Sequence, residues 1–353
     1  MKNCELAVAG LVLSLGVGGV MGLGGCAPTA SRSATQPHEM SIAESQAILE
    51  KAVAILQDQF RNPDAAIRAN CLEALQNLRD KRAVSMFELG LHDEAWVVRF
   101  AAALAAGRQQ ATPLKQTLQQ MYGRETNENV KVGISFALQR LGDDTRMTHL
   151  AVTMKSPDPG VRANTALVLG LLVEKSAFKV LRPARRDTDE RVRFEITAAM
   201  ARLGDMEAED AILAMSINRF AEANYMALAA CPDINRAEVD NVLWRGLHMR
   251  DEFKNPKPEE KYVLDRTTLI AARGTVRRGN LTPTLGLLVL EYSRSPEPEM
   301  RALAALALGE MLYPPEEAPL KRLMEDPDVK VKVAAAAGTI NVAVRAAKGS
   351  SLK

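Results

Sequence analysis

Residues 156–170 read Ser-Pro-Asp-Pro-Gly-Val-Arg-Ala-Asn-Thr-Ala-Leu-Val-Leu-Gly: a turn opened by Ser156-Pro157-Asp158, then a helix with Val161 and Arg162 in its first turn. The same phrase recurs along the chain. Aligned on the basic residue, the copies place Arg68, Arg99, Lys131, Arg162 and Arg193 at spacings of 31, 32, 31 and 31, and later Arg301 and Lys332, again 31 apart. A fixed period between about 20 and 50 residues marks a stack of repeated supersecondary units, so it decides the architecture before any local motif is weighed.

The columns of one unit show how it folds. The position before the basic residue and those three, six, seven and ten after it form one apolar face. The face reads Ile67, Cys71, Ala74, Leu75, Leu78 in the first copy and Val192, Ile196, Ala199, Met200, Leu203 in the fifth. Such offsets make the stripe of an amphipathic helix. Six after the basic residue the side chain is small (Ala74, Ala105, Ala137, Ala199, Ala307), with Val168 the exception, which lets stacked helices approach closely. Four before it stand Asp64, Asp158, Asp189 and Asp328, positioned to accept from the free N–H groups that open a helix.

Composition agrees with a helical chain rich in Ala and Leu: 353 residues, 47% hydrophobic, only 4% aromatic. The net charge of +2 provides no global field for nucleic acid or an acidic partner.

The start of the chain stands apart. Lys2 precedes an apolar run from Leu6 to Met21, then Leu23-Gly24-Gly25-Cys26. A basic start, an apolar centre and small residues before a cut describe a secretory signal over residues 1–25. A transmembrane anchor is the competing reading of an apolar run of about 20 residues, but the glycines and the placement of Cys26 favour the signal. Its ending resembles the lipobox of bacterial lipoproteins. That resemblance implies a lipid on Cys26 and an extracytoplasmic, membrane-anchored location on the periplasmic face, with Ala27 pointing to the outer membrane. Residues 27–40, rich in Ser, Thr, Pro, Ala and Gln, read as a disordered tether, so 26–40 forms lipidated Cys plus linker. Ser41-Ile-Ala-Glu44 is a capping-box signature opening a helix to about Phe60, expected to cover the open end of the first repeat.

Residues 41–345 are the repeat domain. Second, shorter helices are expected at Ala83–Leu89, Thr112–Met121, Thr148–Met154, Ser176–Leu181, Glu207–Met215 and Glu316–Met324. Two helices per unit of about 31 residues, with the Asp, Val and Arg columns, resemble the HEAT-like repeats named after phycobilisome lyases. The resemblance implies an all-α, right-handed α-solenoid of helix pairs. It leaves function open between lyases, adaptors and scaffolds.

The regularity breaks between 205 and 295. A sixth unit is expected near Asn224, and the next basic landmark, Arg266, arrives 42 residues later. The polar segment Asp251–Glu260, with two prolines, reads as an inserted loop. Residues 346–353 read as a frayed tail.

The search for chemistry finds no metal-binding His spacing, phosphate loop or nucleophile elbow, and no cofactor other than the lipid on Cys26 is expected. Cys71 and Cys231 read as small buried apolar groups, too far apart along the stack for a disulfide. Three features are candidate partner contacts. Arg185 and Arg186 lie in a basic cluster whose neighbours Asp187, Asp189 and Glu190 offer self-pairing. Trp96, in a column otherwise small or polar, either packs over its neighbour or stands exposed as an anchor. Trp244, Arg245 and His248 flank the insertion, with Trp244 and His248 one helical turn apart. The reading that results is a lipid-anchored, non-enzymatic scaffold binding a protein or extended peptide along its curved surface, with no small-molecule substrate. A chromophore-lyase-like enzyme and a purely structural envelope lipoprotein are the alternatives.

Overall fold

The computed structural model describes residues 42–217, 222–311 and 317–350, without the side chains of 42, 43, 222, 223, 317 and 346–350. The signal peptide, Cys26, the tether, Ser41 with its capping box, and residues 351–353 lie outside it. Among the described residues there are eighteen α-helices and no strand. Nine form an outer layer: α1 (Ile42–Gln59), α3 (Lys81–Leu91), α5 (Lys115–Arg124), α7 (Met147–Thr153), α9 (Phe178–Ala184), α11 (Met206–Met215), α13 (Glu238–His248), α15 (Pro283–Tyr292) and α17 (Glu317–Leu323). Nine alternate with them as an inner layer: α2 (Ala65–Leu75), α4 (Trp96–Gln109), α6 (Glu128–Arg140), α8 (Pro159–Leu172), α10 (Glu190–Arg202), α12 (Glu222–Ala230), α14 (Pro258–Arg277), α16 (Pro298–Glu310) and α18 (Val329–Ser350). Tail and helix differ at the C-terminus: α18 runs through Ser350, past the point where the sequence predicts fraying.

The inner helices carry the repeat columns. Asp64, Asp158, Asp189 and Asp328 each accept from a backbone N–H of the first turn (Ala66, Gly160, Val192 and Lys330) at 2.7–3.0 Å. The five-residue apolar face is buried, and a single hydrophobic cluster runs from Ile48 to Ile340. α8 is buried on every side from Ala163 to Leu172, as is α4 from Phe100 to Gly107. A helix apolar all round belongs to an interior rather than a surface.

The basic column has a use that capping alone does not explain. Arg162 donates through Nη1 to the carbonyls of Ser156 and Pro157, in the turn before its own helix, at 2.8 and 3.2 Å. Its Nε and Nη2 fork onto Asp187, in the next turn along, at 2.7 and 2.8 Å. Arg68 does the same to Asn62, Pro63 and Asp93, and Arg301 to Ser295, Pro296 and Asp326. Arg99 bonds the carbonyls of Asp93 and Glu94 and forks onto Glu125. Each of these four guanidinium groups thus ties one inter-repeat turn to the next through a bidentate, charge-assisted pair, whereas Arg193, among the described residues, bonds the carbonyls of its own turn, Asp187 and Thr188.

Close approach between inner helices rests on small residues. After Arg99, Arg162 and Arg301 a glycine eight residues on (Gly107, Gly170, Gly309) meets the small column of the following helix. A Cβ on Gly170 would lie 2.8 Å from both Ala199 Cα and Cβ, and one on Gly107 would lie 2.8 Å from Ala137 Cα. Gly309 and Gly338 meet backbone to backbone.

The two ends of the chain meet. α18 packs against both α1 and α2, while each inner helix also packs on the next. Asn77 donates to Asn341 across this seam at 2.9 Å, and Lys51 pairs with Glu325 at 2.6 Å. The expectation that α1 covers an open end is therefore corrected: α1 is the outer helix between the last and first inner helices, and the solenoid closes on itself. The insertion is also shorter than expected. Met249–Glu252 forms a 3-10 turn and α14 begins at Pro258, because proline is well suited to a first helical position.

Two outcomes test this packing. Gly170→Ala, which in an isolated helix would add about 1 kcal/mol of stability, is expected instead to cost roughly 1–3 kcal/mol by urea denaturation, as overpacking does. Cysteines at Asn77 and Asn341, in a chain without its other cysteines, are expected to be joined within one monomer by a dithiol-reactive linker of about 8 Å, read by mass spectrometry of the linked peptides; an open solenoid yields no such link.

Candidate functional site

The break in the repeat builds a cleft. After α12 the chain makes a 3-10 turn at Cys231–Asp233, then α13, then the turn Met249–Glu252 that holds Arg250. Pro258 opens α14, whose Glu260 side chain accepts from the Lys257 N–H at 2.9 Å. This places Lys261 and, one turn later, Asp265 opposite Tyr292 at the end of α15. The resulting cleft of about 560 Å³ has Arg250, Lys261 and Arg294 on its charged side and Leu287, Leu290 and Pro296 on its apolar side.

A buried polar network forms its floor. Tyr292 donates its hydroxyl proton to Asp265 Oδ1 at 2.6 Å, and Lys261 Nζ donates to Asp265 Oδ2 at 2.7 Å. Arg250 Nη1 donates to the Tyr292 oxygen at 3.2 Å and lies 3.6 Å from Asp265 Oδ1. Asp265 and Tyr292 are both buried. Burial, and then the bond to Asp265, push the Tyr292 phenol well above its ordinary range, so it remains a donor at any physiological pH. The carboxylate of Asp265 is compensated from within, while Arg294 is exposed and its guanidinium has no ion pair or hydrogen bond among the described residues.

The sequence candidates are dispersed around the ring. Trp96 opens α4, half-buried against the core, so of its two readings the packed one holds. Trp244 is 62% exposed on α13, its ring stacked on His248 at 4.3 Å, with His248 Nδ1 at 2.8 Å from the Trp244 carbonyl oxygen. Arg245 is exposed beside them, on the helix that leads into Arg250. Arg185 pairs with Glu207 at 2.8 Å and Arg186 is exposed, both just after α9. Asp187 and Asp189 are engaged by the repeat's own turns rather than by these arginines. The cleft residues Arg250, Asp265, Leu287 and Tyr292 were not legible as a group. The one available signal was Lys261 and Asp265 at helical spacing after a double proline.

Arg266 does not serve as the basic landmark. It stacks over Tyr225 at 4.0 Å and pairs with Glu299 at 3.2 Å. By its distance from the helix cap, Lys261 holds the column position. A smaller cavity of about 60 Å³ between α12, α14 and α16 is walled by Arg273 and Arg277, whose charges are met by Glu310 and Asp233 at 2.7 Å.

Other titratable groups lie inside the ring. Burial raises the Cys71 thiol to about 12 and the Cys231 thiol to about 11, so both stay protonated; Cys231 lies in its 3-10 turn rather than on a repeat helix. Among the described residues no group of three His, Cys, Asp or Glu side chains is arranged to hold a metal. The Glu73 carboxyl on α2 is raised to about 8 by burial, with Arg108 and Arg273 opposing, and Glu195 to about 7 by burial, with Arg191 and Arg202 opposing. A carboxyl protonated in the fold but ionised when unfolded makes stability fall as pH rises from about 4.3 toward its folded value. The melting temperature is therefore expected to drop between pH 5 and pH 8, and Glu73→Gln to reduce that drop, as followed by scanning calorimetry. An unaltered pH slope in the variant would refute this.

Comparison with known proteins places these units. No curated protein matches the chain. Among solved structures, the chain is similar to the complex of CpcE and CpcF of phycocyanin lyase from Nostoc sp. PCC7120, at 16% identity over 74% of this chain and 98% of that one, with a TM-score of 0.41. Human deoxyhypusine hydroxylase in complex with glycerol is similar at 14% identity over 84% and 98%, with a TM-score of 0.36. The chain matches the sequence profile of HEAT repeats over residues 49–139 and 147–223, just under half its length, and its helix pairs form a HEAT-repeat α-solenoid.

Proposed function

We propose that this chain is a lipid-anchored scaffold that binds a protein partner on the extracytoplasmic side of a membrane, through the outer surface beside the α14–α15 cleft. The observation that carries the reading is the exposure of large apolar side chains at the break in the repeat: Trp244 is 62% exposed on α13, and Leu287, which lines the cleft, is 68% exposed on α15. An exposed Trp with apolar neighbours and arginines has the composition of an interface hot spot. The tether supports the membrane part of the reading, since Leu23-Gly24-Gly25-Cys26 fits lipid attachment at Cys26 and Ala27 fits outer-membrane retention.

A photo-reactive amino acid at Trp244, introduced in cells, is expected to capture a defined envelope protein, while the same group at the core-packed Trp96 captures none. Cys26→Ser is expected to abolish incorporation of labelled palmitate and release the protein from the membrane fraction. Capture of nothing from position 244 would remove the scaffold reading; full membrane retention without Cys26 would remove the anchor.

A further inference from the structure

The cleft also specifies the chemistry of what enters it. We infer that it takes an acidic segment of the partner protein, with a carboxylate held by Arg294 and Arg250 and an adjoining aliphatic side chain laid on Leu287. This rests on the protein-binding reading above and deepens it.

The argument is one of uncompensated donors beside an uncovered apolar wall. Asp265 is the buried acid of the cleft, and its two oxygens are taken by Tyr292 and Lys261. Arg250 donates to Tyr292 at 3.2 Å and pairs with Asp265 at 3.6 Å, both through Nη1, which leaves the N–H groups of its Nε and Nη2 for a ligand. Arg294 has no partner among the described residues. Glu291 is exposed at the rim and opposes them, so the attraction is short-ranged and depends on direct contact with the guanidinium groups. Planar guanidinium groups favour carboxylates by forked hydrogen bonding. Across from them Leu287 is 68% exposed. The wall between is rigid: the Ser295 and Pro296 carbonyls that border the cleft are both pinned at 2.9 Å by Arg301, a member of the repeat column. A cleft of about 560 Å³ lies within the ordinary range for a bound ligand of a few side chains. A preformed pocket with a fixed wall avoids part of the ordering cost of binding.

The test uses the mature chain and a fluorescein-labelled peptide that carries two adjacent Glu residues next to a Leu, followed by fluorescence polarisation. Binding is expected to weaken at least tenfold in Arg294→Glu, to weaken in Leu287→Ser, to decline with salt, and to vanish when the peptide's Glu residues are replaced by Gln. Both substitutions are at exposed positions, and an unchanged circular dichroism melt confirms the fold. Equal binding by Arg294→Glu, equal binding of the Gln peptide, or no binding of the Glu peptide overturns the inference. So does binding of vesicles containing anionic phospholipid through Arg294 in place of the peptide. If the photo-reactive group at position 244 still captures its partner in an Arg294→Glu chain, the scaffold stands and the acidic segment falls; if capture also fails in the unsubstituted chain, the scaffold falls as well.

Discussion

One hydrogen-bonded link organises this fold: a guanidinium that holds the two carbonyls of the turn behind it and forks onto the acid of the turn ahead. Arg68, Arg162 and Arg301 do so with near-identical geometry. The acids gain as much as the arginines. Arg162 holds Asp187 below the usual carboxylate range, and Asp187 Oδ1 also accepts from the Asp189 N–H at 2.9 Å, which orients the next helix cap. Each link is largely shielded from water, with Arg68 and Asp93 each only 10% exposed at their side chains, so it is stronger than a surface pair and leaves an unpaired charge if broken. Turn geometry is passed from unit to unit, and the small residues can then meet face to face.

Uniform turns have a cumulative effect. Repeats stacked side by side in one sense curve, and the nine inner helices, each packed on the next, bring α18 back to α2. The seam needs no special chemistry. It uses helix-on-helix packing, one amide pair and one exposed ion pair that is worth little by itself. What completes it is α1, an outer helix supplied by the N-terminal end of the chain. Neither terminal repeat then presents an uncovered apolar face, the problem that open arrays solve with polar caps.

The sequence made the units legible and left their closure hidden. Helix positions, caps and core columns follow from periodicity, because each depends on residues within one turn of one another. The acid six before each basic residue, Asp93, Asp187 and Asp326, is equally periodic, but its role appears only when the next turn is in place. Closure depends on contacts such as Asn77 with Asn341, which no local pattern encodes. The cleft was hidden for a related reason: Arg250, Asp265 and Tyr292 come from three elements, and only the stacking of α14 on its neighbours brings them together. Trp96 shows the limit from the other side, since a lone aromatic in a polar column is compatible with either packing or exposure until its neighbours are known.

The break in the guanidinium column and the cleft are one event. In α12 the column position holds Asn224, which is buried and donates to the Ser216 carbonyl at 2.7 Å but is too short to fork onto a second turn. In α14 the position four after the cap holds Lys261, and its ammonium goes to Asp265 on its own helix instead of to the turn behind. With no guanidinium in the column at these two successive units, residues 231–257 add two 3-10 turns and a loop around the outer helix α13. α10 and α12 touch only narrowly there. α14 grows to 20 residues, and its extra turns project Lys261 and Asp265 toward α15. Arg301 restores the link just beyond and fixes the far wall. A carboxylate in place of Ser295, six residues before Arg301, with Lys261 changed to Arg, would supply the donor and acceptor types of the other links, as in Arg162 with Asp187. It would draw the cation away from Asp265, leave Tyr292 as the acid's main partner, and dismantle the floor of the cleft while regularising the ring.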